Sequence, residues 1–260
     1  MPKASLFGPL ARAGYASRGL IYVVIGFFAA LAAVGGGEAM GSKDALTVVL
    51  ASTGGNYLAV LLAAGLVFYA LWRFTQASFD LDGHGTRAKG LAIRAGMVAS
   101  GVAYGTLASY AVSLMRGADD GGSGGEWAAA LTGFVGERLV AGALAAVLVG
   151  VGIAHFMKAW RERYVRYLEA DYDKMRIIHP IAKVGLCARG IVFLVPAFLL
   201  ATRTARGGEN ASTKAALEFV QDLPGGWLLL SLMGVGLMAF AAYSFIQAVY
   251  RRVNIEDARI

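Results

Sequence analysis

The amino-acid sequence predicts an all-α membrane protein whose six transmembrane helices form three tandem two-helix repeats. Two observations make this prediction. Hydrophobic residues are 57% of the chain and charged residues only 16%, a balance typical of integral membrane proteins rather than soluble domains. In addition, the stretch at residues 12–26 is written three times, with its copies beginning at Arg12, Arg94 and Lys183. Internal repetition of this kind defines the architecture before any single motif does.

Each copy opens with the same pattern of residue types. A basic residue is followed two positions later by glycine, five further on by a second glycine, and three further on by an aromatic residue. In chain order these are Arg12, Gly14, Gly19 and Tyr22; Arg94, Gly96, Gly101 and Tyr104; and Lys183, Gly185, Gly190 and Phe193. The same register places Gln76, Lys158 and Gln247 near the end of each copy without a gap. The repeats are therefore 12–77, 94–159 and 183–248, with a charged connection at 160–182.

Six apolar runs are long enough to span a bilayer, which requires about 18 residues. Runs 45–72, 95–115 and 223–250 contain no charged residue, whereas 14–34, 139–157 and 184–202 contain Arg18, His155 and Arg189 respectively. Each weaker run aligns with a stronger one in another repeat, so we count two spans per repeat. All three repeats then run in the same direction, which allows an approximate threefold axis along the membrane normal. A linear row of three hairpins is the alternative.

Basic residues predict the orientation of these spans. Of the 24 lysines and arginines, 18 lie on the side that holds both termini and the connections after the second and fourth spans. By the positive-inside rule, both termini are expected in the cytoplasm. The net charge of +7 is thus a topology signal, and we expect no nucleic-acid partner.

The connections on the opposite side each contain a short segment with helical character. Capping residues and glycine turns predict short amphipathic helices at 43–51, 127–134 and 213–222. Such helices are too short to span and are expected to lie flat at the outer interface. Ordinary loop packing is the alternative.

The two cytoplasmic connections differ from one another. The first, at 78–90, is glycine-rich and turn-like. The second has charged and aromatic residues at helical spacing, which predicts that the fourth helix continues to about Met175 and stops at His179-Pro180. Its basic residues are suited either to anionic lipid or to simple solvation.

The repeated pattern of a basic residue, glycine, arginine-glycine and an aromatic residue, followed by an apolar helix ending in Gln-Ala, resembles the bacterial family called domain of unknown function 1206. The resemblance covers nearly the whole chain, and the second copy departs from it where Ser100 replaces the arginine. It implies a multi-pass protein of the bacterial inner membrane. It brings no activity, cofactor or catalytic residue.

The odd-numbered helices carry a stripe of small and aromatic residues on one side. Its members are Gly19, Tyr22, Gly101, Tyr104, Gly190 and Phe193. Small residues at helical spacing let neighbouring backbones approach closely in lipid, so we interpret the stripe as a packing surface. The alternative is that the aromatic rings line a ligand path.

Polar residues inside the spans are the candidate site, since such residues are costly in a membrane. Five of them are candidates for binding a ligand or a lipid headgroup: Arg18, Ser100, His155, Lys158 and Arg189. For the two arginines we favour side chains that snorkel to the cytoplasmic headgroups over a buried anion site. For His155 we favour a hydrogen-bonded structural role.

No residue set indicates catalysis, a metal or a cofactor. Asp80, Asp82 and His84 form a weak metal pattern, more typical of a solvated turn. No acidic residue lies in the middle of a span, so a carboxylate proton relay is not expected. We therefore favour a scaffold that binds membrane lipids, with a second copy or another membrane protein as a further partner. A channel or transporter for a small or lipid-like solute is the alternative, and catalysis ranks third.

Overall fold

Six long helices account for most of the residues that the structure describes. The computed structural model describes residues 4–34, 46–48, 55–117, 137–204 and 224–252. The helices are α1 (Ala4–Ala33), α2 (Gly55–Phe79), α3 (Ala88–Met115), α4 (Glu137–Trp160), α5 (Tyr172–Thr204) and α6 (Gly226–Tyr250). Each contains a stretch long and apolar enough to cross a membrane. An apolar run of this length must bond its own backbone in lipid, and a helix does so within one segment. The predicted all-α fold with six spans is confirmed.

The helices pack in chain order around a ring. We call each extensive contact between neighbouring helices a joint, and one joint is missing. Among the described residues, extensive contacts join α1 to α2, α2 to α3, α4 to α5, α5 to α6 and α6 to α1. No comparable contact joins α3 to α4. The contact between α1 and α6 brings the two ends of the chain together, so the repeats form an open ring instead of a linear row.

The three joints between different repeats are built in the same way. In each, a glycine of an odd-numbered helix faces a phenylalanine of the preceding repeat. The pairs are Gly19 with Phe245, Gly101 with Phe74, and Gly190 with Phe156. A Cβ atom placed on these glycines would lie 2.9, 3.1 and 2.8 Å from the ring, so a larger residue would displace the phenylalanine. Equivalent contacts at equivalent positions show the approximate threefold symmetry of the bundle.

The joints within a repeat are present in the first and third repeats only. A Cβ atom on Gly14 would lie 2.6 Å from Cβ of Tyr69 in α2, and one on Gly185 would lie 2.5 Å from the backbone nitrogen of Phe240 in α6. Gly96, the equivalent glycine in α3, has no such neighbour within 4 Å. The ring therefore opens inside the second repeat.

A second glycine position explains why this repeat differs. Gly65 of α2 faces Ser17 of α1, and Gly236 of α6 faces Ala188 of α5. In α4 the same position is Val147, which is 53% exposed. Because valine has a branched side chain where the other repeats have none, α4 lacks the flat surface that would let α3 approach.

The connection between α4 and α5 corrects one prediction. We expected α4 to continue to about Met175, but it ends at Trp160. Glu162 has a left-handed backbone with φ of 48°, which ends the helix, and a short 3-10 turn follows at Val165–Tyr167. The chain then turns back beneath the bundle, where the amide of Glu169 donates to the carbonyl of Tyr250 at 2.8 Å. The charged residues at helical spacing are thus divided between this turn and the start of α5.

The other connections are described in part. The predicted turn after α2 is present, with the Asp80 carboxylate accepting hydrogen bonds from the amides of His84 and Gly85 at 2.8 and 2.6 Å. Partial burial acts to raise the pKa of Asp80, but these two bonds outweigh it and lower the pKa below its usual value. The predicted outer helices at 43–51, 127–134 and 213–222 lie outside the described residues, apart from a helical turn at 46–48.

We predict that alanine substitutions at Gly14, Gly96 and Gly185 have different effects on stability, because two of these glycines lie in closed joints and one lies in the open joint. Gly14→Ala and Gly185→Ala place a Cβ against backbone atoms, and overpacking of this kind costs about 1–3 kcal/mol in unfolding free energy. Gly96→Ala meets open space and should be neutral, or stabilising by up to about 1 kcal/mol because alanine favours helix. Denaturation of the purified variants in detergent, followed by circular dichroism, measures the difference. Equal losses at all three positions would contradict the open joint.

Candidate functional site

All six helices contribute side chains to one polar and aromatic group in the middle of the ring. We call it the interior cluster. Its members within the helices are Arg18, Tyr22, Tyr69, Arg73, Tyr104, His155, Lys158, Arg189, Phe193, Phe240, Tyr243, Ser244 and Gln247. Two residues just beyond helix ends, Asp82 and Arg251, complete it. The cluster lies in the half of the bundle nearer the 80–87 connection.

Arg18 is the best satisfied cation of the cluster. Its side chain donates to Tyr69 Oη at 2.7 Å, to Gln247 Oε1 at 2.6 Å and to Ser244 Oγ at 3.1 Å. The residue is only 5% exposed. This corrects our preference for a side chain that snorkels to the headgroups: Arg18 points into the ring and ties α1 to α2 and α6. Depth along the helix permitted either direction, and the partners inside the ring decide it.

Arg189 occupies the equivalent position in the third repeat but has different surroundings. It is 9% exposed, so it too lies inside the bundle instead of snorkelling. Its guanidinium carbon lies 4.5, 4.8 and 4.7 Å from the ring centroids of Tyr22, Phe193 and Phe240. Within the described part of the chain, no side chain or carbonyl accepts a hydrogen bond from it. Arg189 is therefore a buried cation held among aromatic faces.

The threefold relation shows why the two arginines differ. Around Arg189, the repeat register places Phe240 where Arg18 has Tyr69, His155 where it has Ser244, and Lys158 where it has Gln247. Phenylalanine has no hydroxyl group, and a lysine ammonium has only donors. The third, His155, uses Nδ1 to bond the carbonyl of Val151 in its own helix at 2.8 Å. The same scaffold thus holds one arginine that is satisfied and one that is not.

The third equivalent position carries no arginine. Ser100 of α3 is half-buried there. The cation is supplied instead by Arg73 of α2, which donates to Gln76 Oε1 at 3.1 Å and lies 5.0 Å from the Tyr69 ring centroid. Arg73 was missed by sequence reasoning, because it lies directly after the charge-free run at 45–72. Its place in the repeat, equivalent to His155 and Ser244, is the signal that could have found it.

Lys158 lies near the end of α4, one of the two helices that flank the open joint. Its ammonium nitrogen lies 5.7 Å from the ring centroid of Tyr243, and it has no acceptor among the described residues. Glutamine occupies this position in the other two repeats. The structure thus brings together four of the five candidates, Arg18, His155, Lys158 and Arg189, whereas Ser100 of α3 makes no hydrogen bond to them within the described residues.

The described cluster contains five basic side chains and one carboxylate, that of Asp82. Asp82 Oδ1 lies 3.2 Å from Arg251 Nη2, and Asp82 Oδ2 accepts from Gln76 Nε2 at 2.9 Å. The Arg251 guanidinium also lies 5.2 Å from the Tyr15 ring and 5.0 Å from the Tyr167 ring. The predicted turn residue Asp82 therefore links the connection after α2 to the end of α6, a role that sequence reasoning missed.

A second ion pair lies outside the cluster at the same end. Lys183 Nζ lies 2.6 Å from Glu162 Oε1. The hydrogen bond from Lys183 lowers the pKa of Glu162. This pair joins α5 to the turn that follows α4, and an inter-repeat joint is also present between these two helices.

Several buried polar atoms of the cluster and its immediate neighbours lack a partner in the described residues. They are Tyr15 Oη, Trp72 Nε1, Arg73 Nε, Tyr104 Oη, Tyr243 Oη and Arg251 Nε. Buried polar groups are normally hydrogen-bonded, so such a concentration indicates a place where a polar ligand or solvent can bind. All six atoms can donate a hydrogen, which suits an acceptor-rich group.

These features define a six-helix protein with three repeats, an open joint and a cationic interior. The chain belongs to the family Domain of Unknown Function (DUF1206), whose model matches residues 13–80, 95–162 and 184–251. The resemblance drawn from the repeat pattern is thereby confirmed.

The chain is also similar to a bacterial protein of comparable length. It is 28% identical over 253 residues to the uncharacterized protein YxxB of Bacillus subtilis (strain 168), covering 94% of this chain and 91% of that protein. No solved structure matches the chain.

We predict opposite stability effects for the same substitution at the two equivalent arginines. Arg18→Met removes three hydrogen bonds and leaves buried partners unpaired; bonds to charged groups contribute about 1.5–3 kcal/mol each, so unfolding should become easier. Arg189→Met removes a buried cation without an acceptor, and should be neutral or stabilising by about 1–4 kcal/mol. Denaturant titration of delipidated protein in non-ionic detergent tests the pair. A loss at position 189 as large as that at position 18 would show that both arginines are structural.

Proposed function

We propose that this protein binds an amphiphilic membrane lipid, which enters the bundle sideways between α3 and α4. The observation that carries the proposal is the missing joint: the ring is closed by close helix contacts everywhere except inside the second repeat. A ligand approaching that side would come from the surrounding bilayer, where the available molecules are lipids. We therefore place lipid binding ahead of a purely structural scaffold.

The exposure of α3 and α4 supports this proposal. In the most apolar 18-residue stretch of α3 and of α4, only 17% and 11% of the residues are buried. In the corresponding stretches of the other four helices, 50–56% are buried. Exposed apolar side chains on both helices, including Val98 and Val102 of α3 and Leu144 and Val147 of α4, offer contacts for an acyl chain. The interior cluster supplies polar groups within the same bundle. An amphiphile matches this order of apolar edge and polar interior.

A channel or transporter is the second candidate. Three parallel repeats around a shared interior favour it. The Asp82–Arg251 ion pair also favours it, because the pair lies at one end of the bundle and could separate during transport. It ranks second because the described opening faces sideways and not along the axis of the ring.

We further propose that the protein resides in the bacterial inner membrane with both termini in the cytoplasm. The excess of basic residues on that side supports it. Reporter fusions at positions 84, 172 and 260 should then report the cytosol, and fusions at positions 40, 121 and 208 the outside. An outside signal from the connection at 82–87 would contradict the arrangement.

The lipid-binding proposal predicts that closing the open joint reduces lipid binding. The double substitution Val147→Gly with Val151→Tyr writes into α4 the residues that α2 uses to approach α1, and should draw α3 and α4 together. We expect lipid retained through purification, measured by native mass spectrometry, to fall several-fold because the entrance is lost.

The matched control makes the same two types of change on an exposed part of the same helix, at Val149→Gly with Ile153→Tyr. Retention in this control should equal that of the native chain. If the closing variant and the control retain equal lipid, the open joint is not the route to the ligand.

A further inference from the structure

We propose that Arg189 and Lys158 bind the oxyanion of that ligand, a phosphate or carboxylate group, inside the interior cluster. The inference rests on the lipid-binding function proposed above and adds the chemistry of the headgroup. It would make the protein selective for anionic over zwitterionic amphiphiles.

The first argument is the state of Arg189. A guanidinium carries five N–H donors in a fixed plane, an arrangement that matches the two oxygens of a carboxylate or phosphate. Arg189 is more than nine-tenths buried and is enclosed by three rings, from α1, α5 and α6. The rings stabilise its charge through their faces, but they leave the N–H groups in the plane of the guanidinium without an oxygen.

The second argument is the internal comparison with Arg18. Both arginines occupy the same position in a threefold scaffold, and Arg18 shows that the scaffold can supply hydroxyl and amide oxygens to a buried guanidinium. Around Arg189, a lysine replaces the glutamine that bonds Arg18, and a phenylalanine replaces the tyrosine. The exchange removes acceptors and adds a positive charge. An external oxyanion restores what the third repeat lacks.

The third argument is the charge balance. The described cluster holds five basic side chains, and both oxygens of its carboxylate, Asp82, are engaged by Arg251 and Gln76 at one end. Arg189 has no carboxylate beside it among the described residues, and Lys158 has no hydrogen-bond acceptor there. Buried cations without a partner are strongly disfavoured, so an anion bound here would relieve a cost that the empty bundle bears.

The fourth argument is access. Lys158 lies on α4 and Tyr104 on α3, the two helices that flank the open joint. The hydroxyl groups of Tyr104 and Tyr243 are buried and have no partner in the described residues, so each can donate to an oxyanion. Lys158 lies against the Tyr243 ring, and Tyr243 packs 6.1 Å from Phe240, which Arg189 also contacts. Contiguous side chains thus connect Lys158 of α4 to Arg189.

The test uses the full-length protein in lipid nanodiscs, with phosphatidylglycerol as the anionic probe and phosphatidylcholine as the zwitterionic one. Native protein should retain phosphatidylglycerol roughly tenfold over phosphatidylcholine in native mass spectrometry, since charge-assisted bonds are strong in a dry site. Arg189→Gln and Lys158→Gln should each reduce that preference roughly tenfold. Lys158→Gln installs the residue that the other two repeats already tolerate, and Arg189→Lys, which keeps the charge, should retain part of the preference.

A matched control and a second probe separate the outcomes. Lys89→Gln removes an exposed basic residue on α3 and should leave the preference unchanged; an equal loss there would reduce the effect to surface attraction and overturn the proposal. Unchanged preference in Arg189→Gln and Lys158→Gln would also overturn it. Inorganic phosphate is added to phosphatidylcholine nanodiscs to test a free anion: thermal stabilisation that Arg189→Gln abolishes would support the oxyanion site while identifying a soluble source.

The same experiment distinguishes this inference from the proposed function. Native protein that retains both lipids equally, and loses both in the variant that closes the α3–α4 joint, would overturn the oxyanion site and leave lateral lipid binding intact. Native protein that responds to phosphate but retains no lipid would overturn the lateral lipid route and leave the oxyanion site standing.

Discussion

The contact between a glycine on each odd-numbered helix and a phenylalanine of the preceding repeat is what the rest of this structure depends on. Helices surrounded by lipid gain little by burying apolar side chains against one another, so their association depends on close packing. Gly19, Gly101 and Gly190 provide that packing three times, each against the ring of an equivalent phenylalanine. Because the three contacts are alike, the repeats adopt a threefold arrangement, and α1 meets α6 although the two helices lie at opposite ends of the chain.

The joints within the repeats are where the copies diverge. The first and third repeats keep two glycine contacts between their helices, whereas the second has valine at position 147 and an unopposed glycine at position 96. The inter-repeat joints on either side hold α3 and α4 in place, although the described residues show no extensive contact between these two helices. A ring made of three equal units can therefore tolerate the loss of one internal joint, and this loss is what exposes the interior to the side.

The interior illustrates how one scaffold can hold the same residue in two chemical states. Arg18 meets a tyrosine hydroxyl, a serine hydroxyl and a glutamine carbonyl, and so works as a structural tie between the first and third repeats. Arg189 meets aromatic faces, with a histidine and a lysine at the positions of two of those acceptors. Repetition supplies the position, and the neighbours from the adjacent repeat decide whether the cation is satisfied by the protein or free to bind an oxyanion.

The sequence by itself determined the six helices, the three repeats and the register that relates them, because long apolar runs and exact spacing are local properties of the chain. It also singled out Arg18, His155, Lys158 and Arg189, since ionisable residues in apolar runs are visible without a fold. Tertiary structure alone decided the direction of the arginine side chains. A depth of about a turn and a half permits both the headgroups and the interior, and partners on other helices decide between them. It also decided the end of α4, where pairing between residues 167–169 and 250–252 overrides the helical spacing. Asp82 and Arg251 joined the cluster only on folding, since their ion pair links the connection after α2 to the end of α6. The missing α3–α4 joint has the same origin. Val147 is an ordinary residue of an apolar helix, and only the structure shows that its equivalents, Gly65 and Gly236, contact a neighbouring helix.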